Sequence, residues 1–279
     1  MPHQNREFSF ARKDFNRLCE LVNEHTGIQL GDGKEDMLYG RISRRLRQLG
    51  LPSFAAYIQL LESDRAEEEI EDFVNAVTTN LTSFFREKHH FDYLRDSLLP
   101  ELMRRNRVSH RIRIWSAGCS TGEEPYSIAM MVAEVVPKDW DVKILATDLD
   151  TDVLAHGERG VYDIGRVESV DKATVKRWFM KNRKDDPTHV KVRPELQRLI
   201  HFRQLNLLQP WPMKGPLDII FCRNVIIYFD VPTKQMLVNR YADLLGEGGH
   251  LFLGHSEAMH NISNRFTLSG KSVYIKANQ

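Results

Sequence analysis

The sequence predicts an α/β fold preceded by a small all-helical domain, and three patterns along the chain support this. From Arg111 onward, short β-type runs alternate with amphipathic helices, as in proteins with a mostly parallel sheet. Before that point, apolar positions recur every three or four residues and β-branched runs are few, which is typical of helices. The final segment, FTLSGKSVYIKA, predicts two antiparallel strands around Ser269-Gly270, so we expect a mixed sheet with an antiparallel C-terminal edge.

Apolar stripes locate two helices in the first domain. One is expected over residues 14–25 and the other over about 34–49, each followed by a glycine that acts as a stop signal. We expect the helical domain to span residues 1–77 and a linker to span residues 78–110. No strand is predicted in either.

The main domain is expected to span residues 111–279 and to hold five strands before the terminal pair. These strands are RIRIW (111–115), VKILAT (142–147), LIHFRQL (199–205), LDIIFC (217–222) and GHLFLG (249–254). The helices predicted between them lie at about 123–136, 151–157 and 232–245. The charged segment 160–199 interrupts this alternation, so we expect it to be an inserted subdomain.

The composition excludes several classes of protein. The 39 basic and 38 acidic residues of the 279-residue chain leave a net charge of +1, too little for the positive field that draws proteins to nucleic acid. Cys19, Cys119 and Cys222 fit neither a disulfide framework nor a metal-binding pair, and they suggest a reducing compartment. Because the sequence has no signal core and no long apolar run, we expect a cytoplasmic protein that does not insert into membranes.

Charge is unevenly distributed within the helical domain. Residues 34–50 carry a net charge of +3, whereas residues 62–72 carry a net charge of −6. The arginines of the first run are Arg41, Arg44, Arg45 and Arg47. Such runs are typical of solvated helix faces that pair with each other or with water. A docking face for an acidic partner would show the same pattern.

A turn of small residues, AGCSTGEEPYS, joins the first predicted strand to a helix at the carboxyl edge of the sheet, where open α/β folds bind ligands. Gly118 and Gly122 allow tight turning, and Glu123 and Glu124 begin the helix. The glycine spacing matches neither the dinucleotide motif nor the nucleoside-triphosphate motif. Because a phosphate site would leave this helix end free for an anion, the two carboxylates favour a cationic or hydroxyl-bearing ligand instead.

An acidic residue ends the second predicted strand. Asp148 lies 26 residues beyond Gly122, where a carboxylate can hydrogen-bond both hydroxyls of an adenosine ribose. An adenosine that carries a positive group and no phosphate is S-adenosylmethionine, so the glycine turn and Asp148 together predict this cofactor. A helix cap and a turn acid with purely structural roles would give the same pattern.

Further polar residues follow two later strands and precede the first one. The sequence places Asn206 and Leu207 after one strand, and Arg223, Asn224 and Tyr228 after another. Upstream, the segment NAVTTNLTSFFRE contributes Asn80, Thr82 and Arg86, whose side chains could close over a ligand. A single buried polar residue is usually a satisfied turn or core group, but four strand ends that present polar groups to one crevice favour a binding site.

Five segments together resemble the chemotaxis receptor methyltransferases, the CheR family. They are TNLTSFFRE, WSAGCSTGEEPYSIA, TDLDTDVL, FCRNVIIYFD and FLGHSE. The resemblance covers nearly the whole chain and implies a class I S-adenosylmethionine-dependent methyltransferase fold, which is Rossmann-like. It also implies methyl transfer from S-adenosylmethionine to glutamate carboxylates of transmembrane chemoreceptors, with S-adenosylhomocysteine as the second product.

The same resemblance implies roles for individual residues. The cofactor-contacting positions are Asn80, Thr82, Arg86, Glu123, Asp148, Asn206, Leu207, Arg223 and Asn224. Arg86 and Tyr228 are implied to lie beside the transferable methyl group. The four arginines of the helical domain would lie along an acidic helical bundle of the receptor, with an attraction that weakens as salt rises. The segment 160–199 resembles a subdomain that in some members binds a receptor tether, but its turn, KNRKDDPTH, is charged and lacks glycine.

The implied reaction needs little chemical machinery. A glutamate carboxylate, with a usual pKa of about 4.3, is ionised at neutral pH and can attack a sulfonium methyl group without a general base or a metal. We therefore expect Arg86 and Tyr228 to orient the acceptor carboxylate. No metal site is expected, because His89 and His90 are adjacent and His255 stands alone.

Two other classes of protein would have a similar fold. A nucleic-acid base methyltransferase would carry an Asn/Asp-Pro-Pro-Tyr/Phe motif after the fourth strand, where this chain has RNVIIYF. A non-catalytic module that binds receptor or senses nucleotide would keep the fold without turnover, and the sequence leaves this alternative open. We expect a monomer.

Overall fold

The chain folds into two compact units. The computed structural model describes residues 6–183, 186–259 and 262–277. The first unit comprises Met1–Thr79 and Leu149–Thr151, and the second comprises Asn80–Asp148 and Asp152–Gln279. In the described part of the chain, no helix is long and apolar enough to cross a membrane.

The first unit is a small helical bundle. Its helices are α1 (Arg12–Thr26), α2 (Glu35–Leu49), α3 (Phe54–Leu61) and α4 (Glu67–Val77). The two helices predicted from apolar stripes are confirmed within two residues, and α1 ends at Gly27 with a φ of 72°. Their apolar faces meet in a core that includes Leu18, Ile42, Phe54 and Phe73. As predicted, residues 6–110 contain no strand.

The second unit is built on a mixed sheet. Its helices are α5 (His89–Tyr93), α6 (Leu99–Arg105), α7 (Glu123–Val135), α8 (Thr151–Arg159), α9 (Lys172–Trp178), α10 (Pro194–Gln197) and α11 (Val231–Leu244). Its strands are β1 (Arg111–Ala117), β2 (Asp141–Asp148), β3 (Val161–Asp163), β4 (Phe179–Arg183), β5 (Asp186–Val192), β6 (Ile200–Gln204), β7 (Leu217–Cys222), β8 (Leu245–Leu253), β9 (Phe266–Gly270) and β10 (Val273–Lys276). The main sheet has the order β6-β2-β1-β7-β8-β10-β9. Strands β6, β2, β1, β7 and β8 pair in parallel and β10 pairs antiparallel with both neighbours, so the predicted mixed sheet with an antiparallel edge is confirmed.

Two details of the predicted strands are wrong. Strand β8 begins at Leu245, four residues before the predicted start at residue 249. The turn of the terminal hairpin is not at Ser269-Gly270 but at Lys271 and Ser272, because Gly270 pairs with Val273 and so belongs to β9. Ser272 instead of the glycine adopts the left-handed conformation, with a φ of 57°.

The segment 160–199 contains its own small sheet. Strands β3, β5 and β4 pair antiparallel in that order. Residues 184 and 185, in the charged turn between β4 and β5, lie outside the described residues. The prediction that concerns this turn and a receptor tether is therefore not addressed by the structure.

Aromatic side chains fill the core beneath the carboxyl edge of the main sheet. The rings of Phe221 on β7 and Phe252 on β8 stack at 4.2 Å with an interplanar angle of 6°. Trp115 on β1 is fully buried and donates its indole N–H to Thr147 Oγ1 at 2.9 Å. This packing fixes the ends of the central strands, from which the loops of the candidate site emerge.

Candidate functional site

The predicted site residues follow the ends of four neighbouring parallel strands. Asp148 is the last residue of β2, the glycine turn follows β1, Asn206 follows β6, and Arg223 follows β7. Strand β2 pairs with β6 and β1, and β1 pairs with β7, all in parallel. Because the carboxyl ends of parallel strands share one edge, the sheet brings these loops to the same edge, where such folds usually bind ligands.

Backbone hydrogen bonds fix the glycine turn against the end of β2. The N–H groups of Gly118 and Cys119 donate to Thr147 O at 2.8 and 2.9 Å. The next N–H, that of Ser120, donates to Asp148 Oδ2 at 2.8 Å. At Gly122, where φ is 96°, a Cβ would lie 2.9 Å from Tyr162 Oη, so only glycine fits without strain. The turn and the Asp148 carboxylate therefore form one rigid unit.

The two carboxylates at the start of α7 have different environments. Glu124 is 8% exposed and accepts hydrogen bonds from Ser116 Oγ at 2.7 Å and from Arg223 Nη1 at 3.0 Å. Burial raises the pKa of Glu124, against the opposing effect of Arg223. Glu124 thus faces inward, which leaves Glu123 as the carboxylate at this helix end that can favour a cationic or hydroxyl-bearing ligand.

Glu123 has a carboxylate oxygen without a hydrogen-bond partner, which a ligand could contact. It is fully buried, and its Oε2 accepts a hydrogen bond from Thr121 Oγ1 at 2.6 Å. Its Oε1 lies 3.2 Å from Arg166 Nη2 but has no hydrogen-bond partner. A buried oxygen without a hydrogen bond is costly, and the ammonium group of a methionyl moiety would satisfy it. The residues present therefore fit S-adenosylmethionine.

Arg223 joins three segments of the second unit. It is 6% exposed, and besides Glu124 it binds the backbone carbonyl of Arg86 and lies 3.5 Å from Glu87 Oε2. Its guanidinium also lies 5.5 Å from the ring centre of Phe91. The predicted cofactor-binding side chain of Arg223 is thus engaged within the protein, where it holds the segment around Arg86 to α7.

The two residues predicted beside the methyl group lie on segments with unusual backbone. Arg86 is half-buried, donates from Nη1 to Leu81 O at 2.8 Å, and is flanked by Phe85 and Glu87 with φ values of 54° and 56°. Tyr228 is half-buried and ends a single 3-10 turn. Positive φ values at residues other than glycine are costly and concentrate at functional sites, so they support a functional role for the Arg86 segment.

Hydrogen bonds also hold the remaining predicted cofactor residues in the loops of this edge. Asn80 O accepts a hydrogen bond from Ser120 Oγ at 2.9 Å, and Thr82 O accepts one from Arg166 Nη1 at 3.2 Å. Asn206 Oδ1 accepts the N–H of Leu208 at 2.9 Å. The carbonyl of Leu207 accepts hydrogen bonds from Trp211 Nε1 at 3.1 Å and Arg240 Nη1 at 2.7 Å. Asn224 takes a left-handed conformation, with a φ of 59°.

Two features of this edge were given no role by the sequence. Glu257, after β8 in the FLGHSE segment, is 4% exposed, and burial raises its pKa against the effect of backbone N–H groups. An acid just past a buried strand was the available signal.

In the described residues, Glu87, His89 and His90 place possible metal-ligand atoms within 4.8 Å of one another. The positive charge of Arg223, 3.5 Å from Glu87 Oε2, disfavours a cation at these atoms, and the absence of a metal site stays a prediction.

The four arginines of α2 divide into two pairs. Arg41 donates to Val77 O at 2.9 Å and to neighbouring carbonyls at the end of α4. Arg45 binds both oxygens of the buried Glu69 at 2.6 Å. Arg47 is 55% exposed and pairs with Glu7 at 3.1 Å, whereas Arg44 is exposed and has no ion pair within the described chain. The structure thus uses Arg41 and Arg45 inside the helical unit.

The mixed sheet, the strand-end loops and the match to known family models define the class of protein. Residues 80–275 match the model described as CheR methyltransferase, SAM binding domain, and residues 13–78 match CheR methyltransferase, all-alpha domain. The chain therefore has a class I S-adenosylmethionine-dependent methyltransferase fold and uses S-adenosylmethionine. It belongs to the CheR methyltransferase family.

Curated relatives agree with this assignment. The chain is 45% identical over 276 residues to chemotaxis protein methyltransferase 2 of Pseudomonas aeruginosa, covering 98% of this chain and 96% of that one. It is 44% identical over 264 residues to the chemotaxis protein methyltransferase of Escherichia coli K12, covering 93% and 89%. Among solved structures, geranyl diphosphate methyltransferase in complex with GPP and sinefungin is 15% identical with a TM-score of 0.35 over 60% of this chain and 44% of that chain, too low to support an argument.

Proposed function

We propose that this methyltransferase esterifies glutamate side-chain carboxylates of chemoreceptors with the methyl group of S-adenosylmethionine. Membership of the CheR family and relatives named chemotaxis protein methyltransferases support the substrate class. The observation that carries the proposal is the buried Glu123, whose Oε1 lies 3.2 Å from Arg166 Nη2 but has no hydrogen-bond partner. It directly follows the glycine turn, which the Ser120 N–H binds to Asp148. Together these two carboxylates match a cationic amino acid attached to a ribose.

We assign the cofactor contacts from the donor set at the sheet edge. Asp148 would hold the ribose hydroxyls, because its position at the end of β2 is fixed by Ser120 N–H. Glu123 would pair with the ammonium group through Oε1. Asn80, Thr82, Asn206, Leu207 and Asn224 would complete the site from the adjoining loops. When bound, S-adenosylmethionine supplies a methyl group on a positively charged sulfur.

The protein's part in the reaction is to align the acceptor and exclude water. A glutamate carboxylate is already ionised at neutral pH, so no residue has to remove a proton. Arg86 and the Tyr228 hydroxyl would orient the acceptor carboxylate and leave one of its oxygens directed at the methyl group. Such orientation can lower the barrier by about 7 to 11 kcal/mol. The carbonyl of Arg86, bound by Arg223, fixes the position of this segment.

A direct test follows the label from the cofactor to the receptor. The protein is incubated with methyl-labelled S-adenosylmethionine and a chemoreceptor cytoplasmic fragment, and the label that mild alkali releases as methanol is counted. We expect alkali-labile label that falls at least about tenfold with Tyr228→Phe or Arg86→Ala, but not with the control Tyr39→Phe in the helical unit. If the protein binds S-adenosylhomocysteine but no alkali-labile label appears on the receptor, the proposed acceptor class is refuted. A non-catalytic sensing module would then be favoured.

We propose that residues 1–77 dock the receptor, that 78–110 contribute to the cofactor site, and that 111–279 carry out transfer. The exposed Arg44 and Arg47 would contact an acidic helical bundle of a receptor in the cytoplasm. The methyltransferase would act there as a monomer. Arg44→Ala should raise the KM for receptor without changing the affinity for S-adenosylhomocysteine, and the effect should shrink as salt rises. Arg65→Ala, at a site 73% exposed in the same unit, is the matched control. Equal KM values for the two variants would contradict docking through α2.

A further inference from the structure

We propose that Glu257 is a positioning residue, whose carboxylate sets the backbone of the loop 223–228 and thereby places Asn224 and Tyr228. Glu257 lies outside the set of residues to which we assign contact with cofactor or acceptor. The inference rests on the function proposed above, because it concerns where two residues of that site stand.

All four acceptor positions of the Glu257 carboxylate are occupied by backbone N–H groups. Oε2 accepts from Asn224 N at 2.7 Å and from Gly254 N at 2.6 Å. Oε1 accepts from Val225 N at 2.9 Å and from Ile227 N at 3.2 Å. An ionised carboxylate offers about four acceptor sites, so this group is saturated by the main chain alone. With 4% of its surface exposed, Glu257 has little contact with water.

The loop needs such a partner because it leaves the sheet abruptly. Strand β7 ends at Cys222, Asn224 takes a φ of 59°, and a 3-10 turn occupies Ile226–Tyr228. The three amides that Glu257 binds here have no strand neighbour to receive them, and a buried N–H without an acceptor is costly. The carboxylate therefore stabilises this irregular path of the chain over others.

The packing around Gly254 leaves no room for a side chain beside the Glu257 carboxylate. A Cβ at Gly254 would lie 2.8 Å from Glu257 Oε2, 2.6 Å from Asn224 Nδ2 and 3.0 Å from Asn224 N. Any side chain at residue 254 would therefore push the carboxylate and the loop apart. Gly254→Ala is a second way to disturb the same contact without altering the carboxylate itself.

Asp218 provides a matched control at the opposite end of β7. Its carboxylate also accepts several hydrogen bonds, from Arg105 Nη2 at 2.9 Å, from Asn106 Nδ2 at 3.0 Å and from Arg113 N at 2.8 Å. None of these donors belongs to the candidate site. Removing the charge of Asp218 thus tests stability alone, whereas removing that of Glu257 tests stability and position together.

The experiment is a double-mutant cycle on the full chain. Glu257→Gln, Tyr228→Phe and the double variant are compared for kcat, the KM for S-adenosylmethionine and thermal midpoint, with Asp218→Asn as control. Gln keeps the shape but points an NH₂ group at two N–H donors, so we expect kcat to fall at least about tenfold. In the Tyr228→Phe background the same change should lower kcat less than about threefold, because residues that act as a unit are not additive. Asp218→Asn should lower the midpoint and leave kcat within about twofold of wild type.

The outcomes separate this inference from the proposed function. Full additivity of Glu257→Gln and Tyr228→Phe, or a wild-type kcat for Glu257→Gln, would overturn the positioning role. If Tyr228→Phe alone keeps full turnover, the proposed role of Tyr228 fails instead. In that case the test of Glu257 is its effect on Asn224, which we propose contacts the cofactor. An unchanged affinity of the Glu257→Gln variant for S-adenosylhomocysteine would then overturn the inference. Should Glu257→Gln not fold, Gly254→Ala takes its place in the cycle with the same expectations.

Discussion

Replacing Glu124 with glutamine is expected to lower the free energy of unfolding by about 3 kcal/mol. The Glu124 carboxylate is 8% exposed and is bound by Ser116 Oγ and Arg223 Nη1 at 2.7 and 3.0 Å. Removing one partner of a buried ion pair costs about 3 to 5 kcal/mol, because the other charge stays buried. Arg223 keeps Glu87 at 3.5 Å and the carbonyl of Arg86, which places the expected cost at the lower end.

Urea unfolding followed by tryptophan fluorescence measures this loss. All four tryptophans, at positions 115, 140, 178 and 211, belong to the second unit, so the signal reports on the unit that contains Glu124. The control is Glu134→Gln on the same helix, where the side chain is 22% exposed and we expect a loss below about 1 kcal/mol. A loss for Glu124→Gln no larger than that of the control would refute the reasoning.

Three further changes test other parts of the structure. Burial and the nearby Arg223 lower the pKa of His90 from 6.5 to about 4, so its neutral form stabilises the fold above pH 6.5 and up to about 3 kcal/mol is lost as the pH falls towards 4. In the His90→Gln variant, the urea concentration at the unfolding midpoint should depend less on pH between pH 4 and 6.5. An unchanged pH dependence would argue against a lowered pKa of His90. In the helical unit, Glu69→Gln should cost about 3 kcal/mol by far-UV circular dichroism, because Glu69 is 3% exposed and binds a guanidinium with both oxygens; a loss below about 1 kcal/mol would contradict this. Gly122→Ala should weaken the binding of S-adenosylhomocysteine at least about tenfold by calorimetry, since φ is 96° there and the new methyl group meets Tyr162; equal affinity would count against a rigid turn.

The strands and strand ends that form the candidate site could be predicted because the local sequence pattern determines where a strand ends. A run of buried residues followed by an acid or a small residue fixes where a strand stops, and this placed Asp148 at the end of β2 correctly. The parallel arrangement then follows from alternation with helices, so Asn206 and Arg223 could be assigned to the same edge from spacing alone. Their roles towards the cofactor remain predictions.

The direction of charged side chains could not be predicted in the same way. Glu123 and Glu124 are neighbours in sequence, yet only Glu124 faces Arg223, a residue 99 positions further along the chain. Likewise Arg45 belongs to α2 but is held by Glu69 of α4. Such pairings depend on tertiary packing, and no local pattern encodes them. The contacts of Glu257 were missed for a related reason, since they are made to backbone amides that a sequence does not distinguish.

The short segment Leu149–Thr151 has a practical consequence for anyone who wishes to study the two parts of this protein separately. It lies in sequence within the cofactor-binding part but belongs to the helical unit, where Thr78 Oγ1 donates to Asp150 Oδ2 at 2.7 Å and Asn75 Nδ2 donates to Thr151 Oγ1 at 2.9 Å. The chain therefore crosses between the units three times. Cutting it near residue 79 would leave those donors and acceptors on different molecules, so the domain boundary in the sequence is not a clean place to divide the gene.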